Sequence, residues 1–233
     1  MSRYLPIAAL VLRGAAGCVN ASDDNADDAA VSAKDGGDMH SVNGSIHVPN
    51  GVKRGDVGTV NGSIRVDDDA TVLEAHTVNG SIRVGDQAMS ESLKKVNGSI
   101  TVGAGAQVKE TITSVNGSLT MRDAAQIGGA VTTLNGAITL AAAHVAGGIE
   151  TVNGDINIGG GSHVEGGILM RKPSFNLFHF VSSAARVIIG PGAAVQGELR
   201  FERDVRLYVS DRATIGPVIG ATAVRFSGES PPR

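Results

Sequence analysis

Residues 60–84 read VNGSIRVDDDATVLEAHTVNGSIRV, and the phrase that opens this stretch returns 18 residues later to close it. An aliphatic residue, Asn-Gly, a small or acidic residue and then Ile or Leu occur in this order seven times, at intervals of 18 or 19 residues. The asparagines are Asn43, Asn61, Asn79, Asn97, Asn116, Asn135 and Asn153. A period of this length is typical of a solenoid, in which each repeat is one coil that buries its apolar face against the next coil.

Asn-Gly between apolar runs commonly marks a β-hairpin, but the finer spacing favours a different fold. Aliphatic residues recur every six positions at Val60, Val66, Val72, Val78 and Val84, and then again at Val96, Val102 and Val108. A second series, which includes Ile64, Ala70 and Ile82, stands four places after a hexad start. We expect both series to point inward. Three hexads make one coil, so we predict an all-β, three-faced parallel β-solenoid of about ten coils, with about 18 residues per coil and of either hand.

The Asn-Gly pair is expected at one corner of every coil, where both residues suit the positive φ of a sharp turn. Coils stack about 4.8 Å apart, so the seven asparagines are predicted to form a structural ladder of amide hydrogen bonds. Two of the intervals hold 19 residues, and we expect their extra residue to form a bulge at Ser114 and Thr133.

The repeat is interrupted once. The phrase IGGGSHVEGGI from Ile158 returns as IGPGAAVQGEL from Ile189, a separation of 31 residues. We therefore predict an insertion at about 171–184, where an eighth Asn-Gly would lie. The insertion carries a possible contact patch, which could instead cap the corner locally; its residues are Phe175, Leu177, Phe178 and Phe180.

The first 17 residues have the pattern of a signal peptide, with Arg3, an apolar stretch from Tyr4 to Leu12 and small residues up to Gly17. Cys18, the one cysteine in the chain, follows. This arrangement resembles a bacterial lipoprotein signal, which implies lipidation of Cys18 and a membrane anchor in the bacterial cell envelope, on the periplasmic or surface face. Ordinary secretion and an uncleaved cytosolic start are the alternatives.

The domain boundaries follow from composition. Residues 18–40 are acidic and poor in apolar side chains, so they are predicted to form a flexible tether. The solenoid is expected to occupy residues 41–226, and residues 227–233 a disordered tail that Pro231 and Pro232 exclude from any sheet.

Composition and motifs disfavour several function classes. The net charge of −3 provides no basic surface for nucleic acid, so no nucleic-acid partner is expected. The chain carries no GxSxG elbow, HExxH motif or phosphate-binding loop. We therefore predict no enzyme activity, no catalytic residue, no cofactor and no metal.

Sites in a solenoid are columns, because residues one coil apart become neighbours. One column is either an ordinary sheet surface or a binding face, and contains His47, Arg65, Arg83, Thr101, Thr120, Thr139 and Asn157. A second contains Gln107, Gln126, His144 and His163. Its histidines could share a metal, but no acidic third ligand is evident from the sequence, and solvated histidines are favoured.

A third column is acidic. Asp68 and Asp86 occupy equivalent corner positions one coil apart, flanked by Asp67 and Asp69. Carboxylates at this spacing repel one another unless a cation relieves them. We expect Arg65 and Arg83 to be their partners, in preference to calcium, because the glycine-rich repeats of calcium-binding β-rolls are absent from the sequence.

The VNGSIRV phrases, together with GAAVQGELRFERDVRLYV near the C-terminus, resemble adhesin-type bacterial envelope proteins with repeated short β-strands. They are also similar in style to bactofilins, which are polymer-forming β-helical cytoskeletal proteins. This resemblance implies a non-enzymatic scaffold or binding rod, with cell-wall glycan, a protein or a second copy as partner. VGAGAQ and IGGGSH resemble hexapeptide-repeat acyltransferases instead, which implies a histidine base at His144 or His163.

Overall fold

The computed structural model describes residues 36–172 and 184–231 and confirms a parallel β-solenoid. The coils contribute strands to three faces, and the strands of each face pair in parallel from one coil to the next. The first face has ten strands, one for each coil: β2 (Ile46–Val48), β4 (Ile64–Val66), β6 (Ile82–Val84), β8 (Ile100–Val102), β11 (Leu119–Met121), β14 (Ile138–Leu140), β17 (Ile156–Ile158), β20 (Ala185–Ile189), β23 (Val205–Ser210) and β26 (Ala223–Phe226).

The second and third faces form one continuous sheet of 16 strands. The second face contains β9 (Gln107–Val108), β12 (Gln126–Ile127), β15 (His144–Val145), β18 (His163–Val164), β21 (Ala194–Val195) and β24 (Thr214–Ile215). The third contains β1 (Met39–Asn43), β3 (Val57–Asn61), β10 (Ile112–Asn116), β13 (Val131–Asn135), β16 (Ile149–Asn153), β19 (Ile168–Met170), β22 (Leu199–Phe201) and β25 (Val218–Ile219). Two long strands, β5 (Thr71–Asn79) and β7 (Met89–Asn97), span both faces.

The core is a stack of aliphatic side chains that fill the inside of the coils. In one coil the inward residues are Ile64, Val66, Ala70, Val72 and Ala75, all at most 1% exposed. Alternation along each short strand places the intervening residues outside, as the pleat of a β-strand requires. Burial of the coil faces against their neighbours is the main source of stability in such a stack.

The prediction that every hexad start points inward was wrong at the third face. Val60 is 40% exposed, and Val78 and Val96 are half-buried on the outer wall. Inward positions advance by six residues from Val66 to Val72, but by five from Val72 to Thr77. The corner between the second and third faces is one residue shorter than a hexad requires, and the Asn-Gly corner is correspondingly longer.

The predicted bulge at Ser114 and Thr133 was also wrong. Ser90 pairs with Val108 at a spacing of 18, whereas Leu93 pairs with Ile112 at a spacing of 19. The extra residue therefore enters between Val108 and Ile112, at the corner between the second and third faces. It breaks the continuous strand seen in β5 and β7 into two separate strands, β9 and β10.

The limits of the solenoid differ slightly from the prediction. The first strand begins at Met39, whose side chain is buried, so the last residues of the predicted tether belong to the first coil. At the interruption, Met170 still pairs with Thr151, and Ile189 pairs with Ile158. This pairing places the insertion after the Met170 strand, as the separation of 31 residues predicts. Residues 173–183, including the possible contact patch, lie outside the described residues.

Candidate functional site

The seven asparagines form a continuous ladder on the outer wall. Each Nδ2 donates to the Oδ1 of the asparagine one coil earlier, at 2.9–3.1 Å, so six hydrogen bonds join the seven side chains. None of these asparagines has a positive φ. The glycine that follows supplies the turn: Gly117 has φ +118°, and a Cβ there would overlap the carbonyl oxygen of Gly98. The stacking of the coils thus requires Asn and Gly at this corner as much as the geometry of the turn does.

Arg203 terminates the ladder. Asn153 is the last member, and its Oδ1 has no further asparagine from which to accept a hydrogen bond. Arg203 Nη1 donates to that oxygen and, at 3.1 Å, to the carbonyl of Val152. The guanidinium belongs to a coil beyond the insertion and therefore links the two sides of the interruption.

The first-face column is present, and its charged end is a tight cluster. His47, Arg65 and Arg83 are register partners, followed by Thr101, Thr120, Thr139 and Asn157. Asp67 accepts from Arg65 Nε and pairs with His47 Nε2, both at 2.6 Å. Burial acts to raise the pKa of Asp67, but the hydrogen bonds from Arg65 and His47 outweigh it, so the pKa lies below its ordinary value.

The acidic corner residues have different partners from those predicted. Asp68 Oδ1 accepts from the backbone N–H of Asp86, and Asp86 Oδ1 accepts from the backbone N–H of Ala104, both at 2.8 Å. Arg65 binds Asp67 instead of Asp68. Each carboxylate accepts a hydrogen bond from the peptide group of the next coil, which stabilises its charge and offsets the repulsion within the column.

The glutamine and histidine column is also present, and an acidic residue lies beside it. His144 and His163 are register partners, and their ring centroids are 5.4 Å apart. Glu165 Oε1 lies 3.0 Å from His144 Nε2, and Gln196 lies 3.0 Å from His163 Nε2. An acidic residue thus lies beside one member of the pair, which the sequence alone did not make evident. In the described part of the chain, however, no three His, Cys, Asp or Glu side chains converge to hold a metal.

One lysine lies inside the solenoid. Lys95 is 1% exposed and occupies the inward column that elsewhere holds Thr59, Thr77, Ser114, Thr133 and Thr151. Its Nζ donates to the carbonyls of Gly98 at 2.5 Å and Asn116 at 2.9 Å. Burial lowers the pKa of Lys95 to about 8. Comparing the residue two places before each Asn would have identified this lysine as the exception in a hydroxyl series.

A shallow groove of about 300 Å³ follows the corner between the second and third faces. Its floor includes Gly148 and Gly167, and its charged lining consists of Glu150, Glu198 and Arg200. Arg200 Nε donates to Glu198 at 2.8 Å, and Glu150 accepts from Arg171. Each of these charged groups thus has an ion-pair partner, Glu198 with Arg200 inside the groove and Glu150 with Arg171 outside its lining.

Within residues 36–172 and 184–231, no helix is long and apolar enough to cross a membrane. Comparison of the chain with protein-family models, with curated proteins and with solved structures found no match. The described chain is a rod with regular columns of polar side chains on its outer wall, and these columns are its candidate binding surfaces.

Proposed function

We propose that this protein is a non-enzymatic lipoprotein of the bacterial cell envelope, whose β-solenoid rod acts as a structural scaffold or adhesin-like binding surface. The observation that supports this role best is the continuity of the rod. Ten coils stack in register, and the exposed side chains of the corners are bonded mostly to the neighbouring coil. At about 4.8 Å per coil, the rod measures about 45 Å, enough to hold a binding face away from a membrane.

The anchor half of the proposal rests on the sequence around Cys18. A lipid on this cysteine would attach the chain to the envelope membrane, with residues 19–35 between the anchor and the first coil. Cys18→Ala should leave the protein exported and folded but move it from the membrane fraction to the soluble fraction. Retention of the variant in the membrane fraction would show that the anchor lies elsewhere.

Self-association is the partner interaction that the rod favours. In the described chain, β2 and β26 each pair on one side only, so both ends of the first face present unpaired peptide groups. Such edges bind another strand readily. Cell-wall glycan or another protein on the outer faces is the alternative partner.

Sedimentation velocity on the full chain in detergent, over a hundredfold concentration range, tests whether the rod associates through its ends. We expect a species that grows with concentration, and filaments by electron microscopy if growth is open-ended as in bactofilins. A Pro substitution at Val224 in β26 should block growth while a surface change at Thr120 does not. A monomer at all concentrations would refute self-association.

An acyltransferase is the second candidate, because Glu165 lies within hydrogen-bonding distance of His144. A carboxylate that orients an imidazole is the arrangement a histidine base requires. Acetyl transfer from acetyl-CoA to small hydroxyl and amino acceptors, compared between the native chain and His144→Ala, distinguishes the two functions. Turnover that depends on His144 would favour the transferase over the scaffold.

A further inference from the structure

Two histidines that lie two coils apart meet on the outer wall of the third face. His40 in β1 pairs with Gly58 in β3, and Gly58 pairs with His76 in β5. Residues two coils apart are separated by about 9.6 Å along the rod. The two ring centroids are nevertheless only 5.9 Å apart. The imidazoles lean toward one another over Gly58, where no side chain separates them.

The ring nitrogens that face this gap are specific ones. A Cβ placed on Gly58 would overlap His76 Nε2 and lie 2.9 Å from His40 Nδ1. Both nitrogens therefore lie near one another, on the outer side of Gly58. His40 forms no hydrogen bond with the described residues, so its ring can adjust. From these positions we propose that His40 and His76 form a binding site for a divalent transition metal such as Zn²⁺ or Cu²⁺, with water in the remaining coordination positions.

The surroundings of the pair suit a cation. Three acidic residues line the same outer side of the sheet, because each stands two residues before a member of the column formed by His40, Gly58 and His76. They are Asp38, Asp56 and Glu74. Asp38 Oδ1 accepts a hydrogen bond from the backbone N–H of Asp56 at 2.9 Å, and Asp56 Oδ1 accepts one from the backbone N–H of Glu74 at 3.3 Å. These bonds hold the three acidic residues in one column. Lys94 follows His76 in this column on the next coil, and its Nζ lies 2.5 Å from Glu74.

Glu74 also orients His76 for this role. Glu74 Oε1 lies 3.6 Å from His76 Nδ1, and that nitrogen is buried with no hydrogen-bond partner among the described residues. A small movement would complete a carboxylate–histidine–metal arrangement, in which the carboxylate binds one ring nitrogen and leaves the other as ligand. Burial lowers the pKa of His76.

The second histidine pair provides a matched control. His144 Nε2 and His163 Nε2 are already engaged by Glu165 and Gln196, whereas the nitrogens over Gly58 are not engaged. Imidazole is a good ligand for zinc and copper in both pairs. Among the described residues, the nitrogens nearest Gly58 in the first pair are unengaged, whereas the Nε2 atoms of the second pair are engaged.

The test is titration of the full, chelator-treated chain with ZnCl₂ by calorimetry at pH 7.5. We expect one site, abolished by His40→Ala and by His76→Ala but retained in the His144→Ala/His163→Ala double variant. Glu74→Gln, which removes only the orienting carboxylate, should weaken binding roughly 10-fold. Gly58→Ala keeps both imidazoles and fills the space between them, so it should also abolish binding; circular dichroism verifies that each variant is folded.

Copper gives an independent readout. The electron paramagnetic resonance spectrum of the chain with one equivalent of CuCl₂ should show coupling to two nitrogens, and to fewer in His40→Ala. Equal binding in the native chain and in His76→Ala, loss of binding in the His144→Ala/His163→Ala variant, or no uptake at all would overturn the proposal.

Discussion

Lys95 should make the rod more stable at alkaline pH than at neutral pH. In the folded chain its pKa is about 8, below the value of 10.5 for an exposed lysine. The unfolded chain therefore binds more protons than the folded chain between these two values, so stability rises with pH across this window. Below pH 8 both states are protonated, and the full penalty for burying the charge is present.

The size of the effect follows from the shift. A difference of about 2.5 pKa units corresponds to about 3.4 kcal/mol, at about 1.36 kcal/mol per unit. That value is a ceiling, because the ammonium lies at the Asn-Gly corner and donates to two carbonyls, which stabilise its charged form. Between pH 7 and pH 9.5, about 2 kcal/mol of the penalty should disappear.

Lys95→Thr isolates this contribution. Thr77, one coil earlier, donates from Oγ1 to the carbonyl of Gly62 at 3.0 Å, and a threonine at position 95 can donate to Gly80 in the same way. The change also frees the carbonyl of Gly98, which Lys95 now occupies, for Ser114, whose buried hydroxyl has no partner. We expect the variant to gain stability relative to the native chain at pH 7.

The assay is urea unfolding followed by circular dichroism at pH 7 and pH 9.5. The free-energy difference between Lys95→Thr and the native chain should shift by about 2 kcal/mol in favour of the native chain as the pH rises. Lys94→Thr, which removes a lysine from the outer side of the same strand, controls for other titrating groups. An identical difference at both pH values would refute the buried-charge explanation.

Three further predictions concern the corner. Asn97→Ala removes two ladder hydrogen bonds and should cost about 1–2 kcal/mol in urea unfolding, roughly twice the cost of Asn43→Ala, which removes one. Gly117→Ala should lower the melting temperature by more than about 5 °C, because its Cβ would overlap the carbonyl of Gly98. Gly51→Ala, also at positive φ but in open space, should lose only the left-handed backbone cost of about 1–2 kcal/mol and so a smaller amount; similar losses would disprove the stacking argument. Arg203→Ala should increase hydrogen exchange at the Asn153 corner more than at Asn79, and uniform exchange would show that the arginine does not end the ladder.

The placement of the insertion was accessible from the sequence, because parallel stacking requires each inward residue to match one in the next coil. The separation of 31 residues between Ile158 and Ile189 therefore predicted a pairing that the structure contains. The acidic corners were less predictable. Asp68 and Asp86 find backbone N–H partners whose direction depends on how one coil is offset from the next, and residue spacing carries no information on that offset.

The sequence by itself determined the repeat, the parallel stacking and the asparagine ladder, since a period near 18 with one Asn-Gly per period brings identical residues together in any stack of coils. Only the tertiary structure decided which residues face inward at the third face, because a corner one residue shorter reverses the alternation and turns Val60 and Val78 outward. It likewise decided that Lys95 is buried and that His40 and His76 meet over Gly58. These contacts depend on the direction of individual side chains and, for the histidines, on the glycine that lies between them at position 58. The repeat encodes neither.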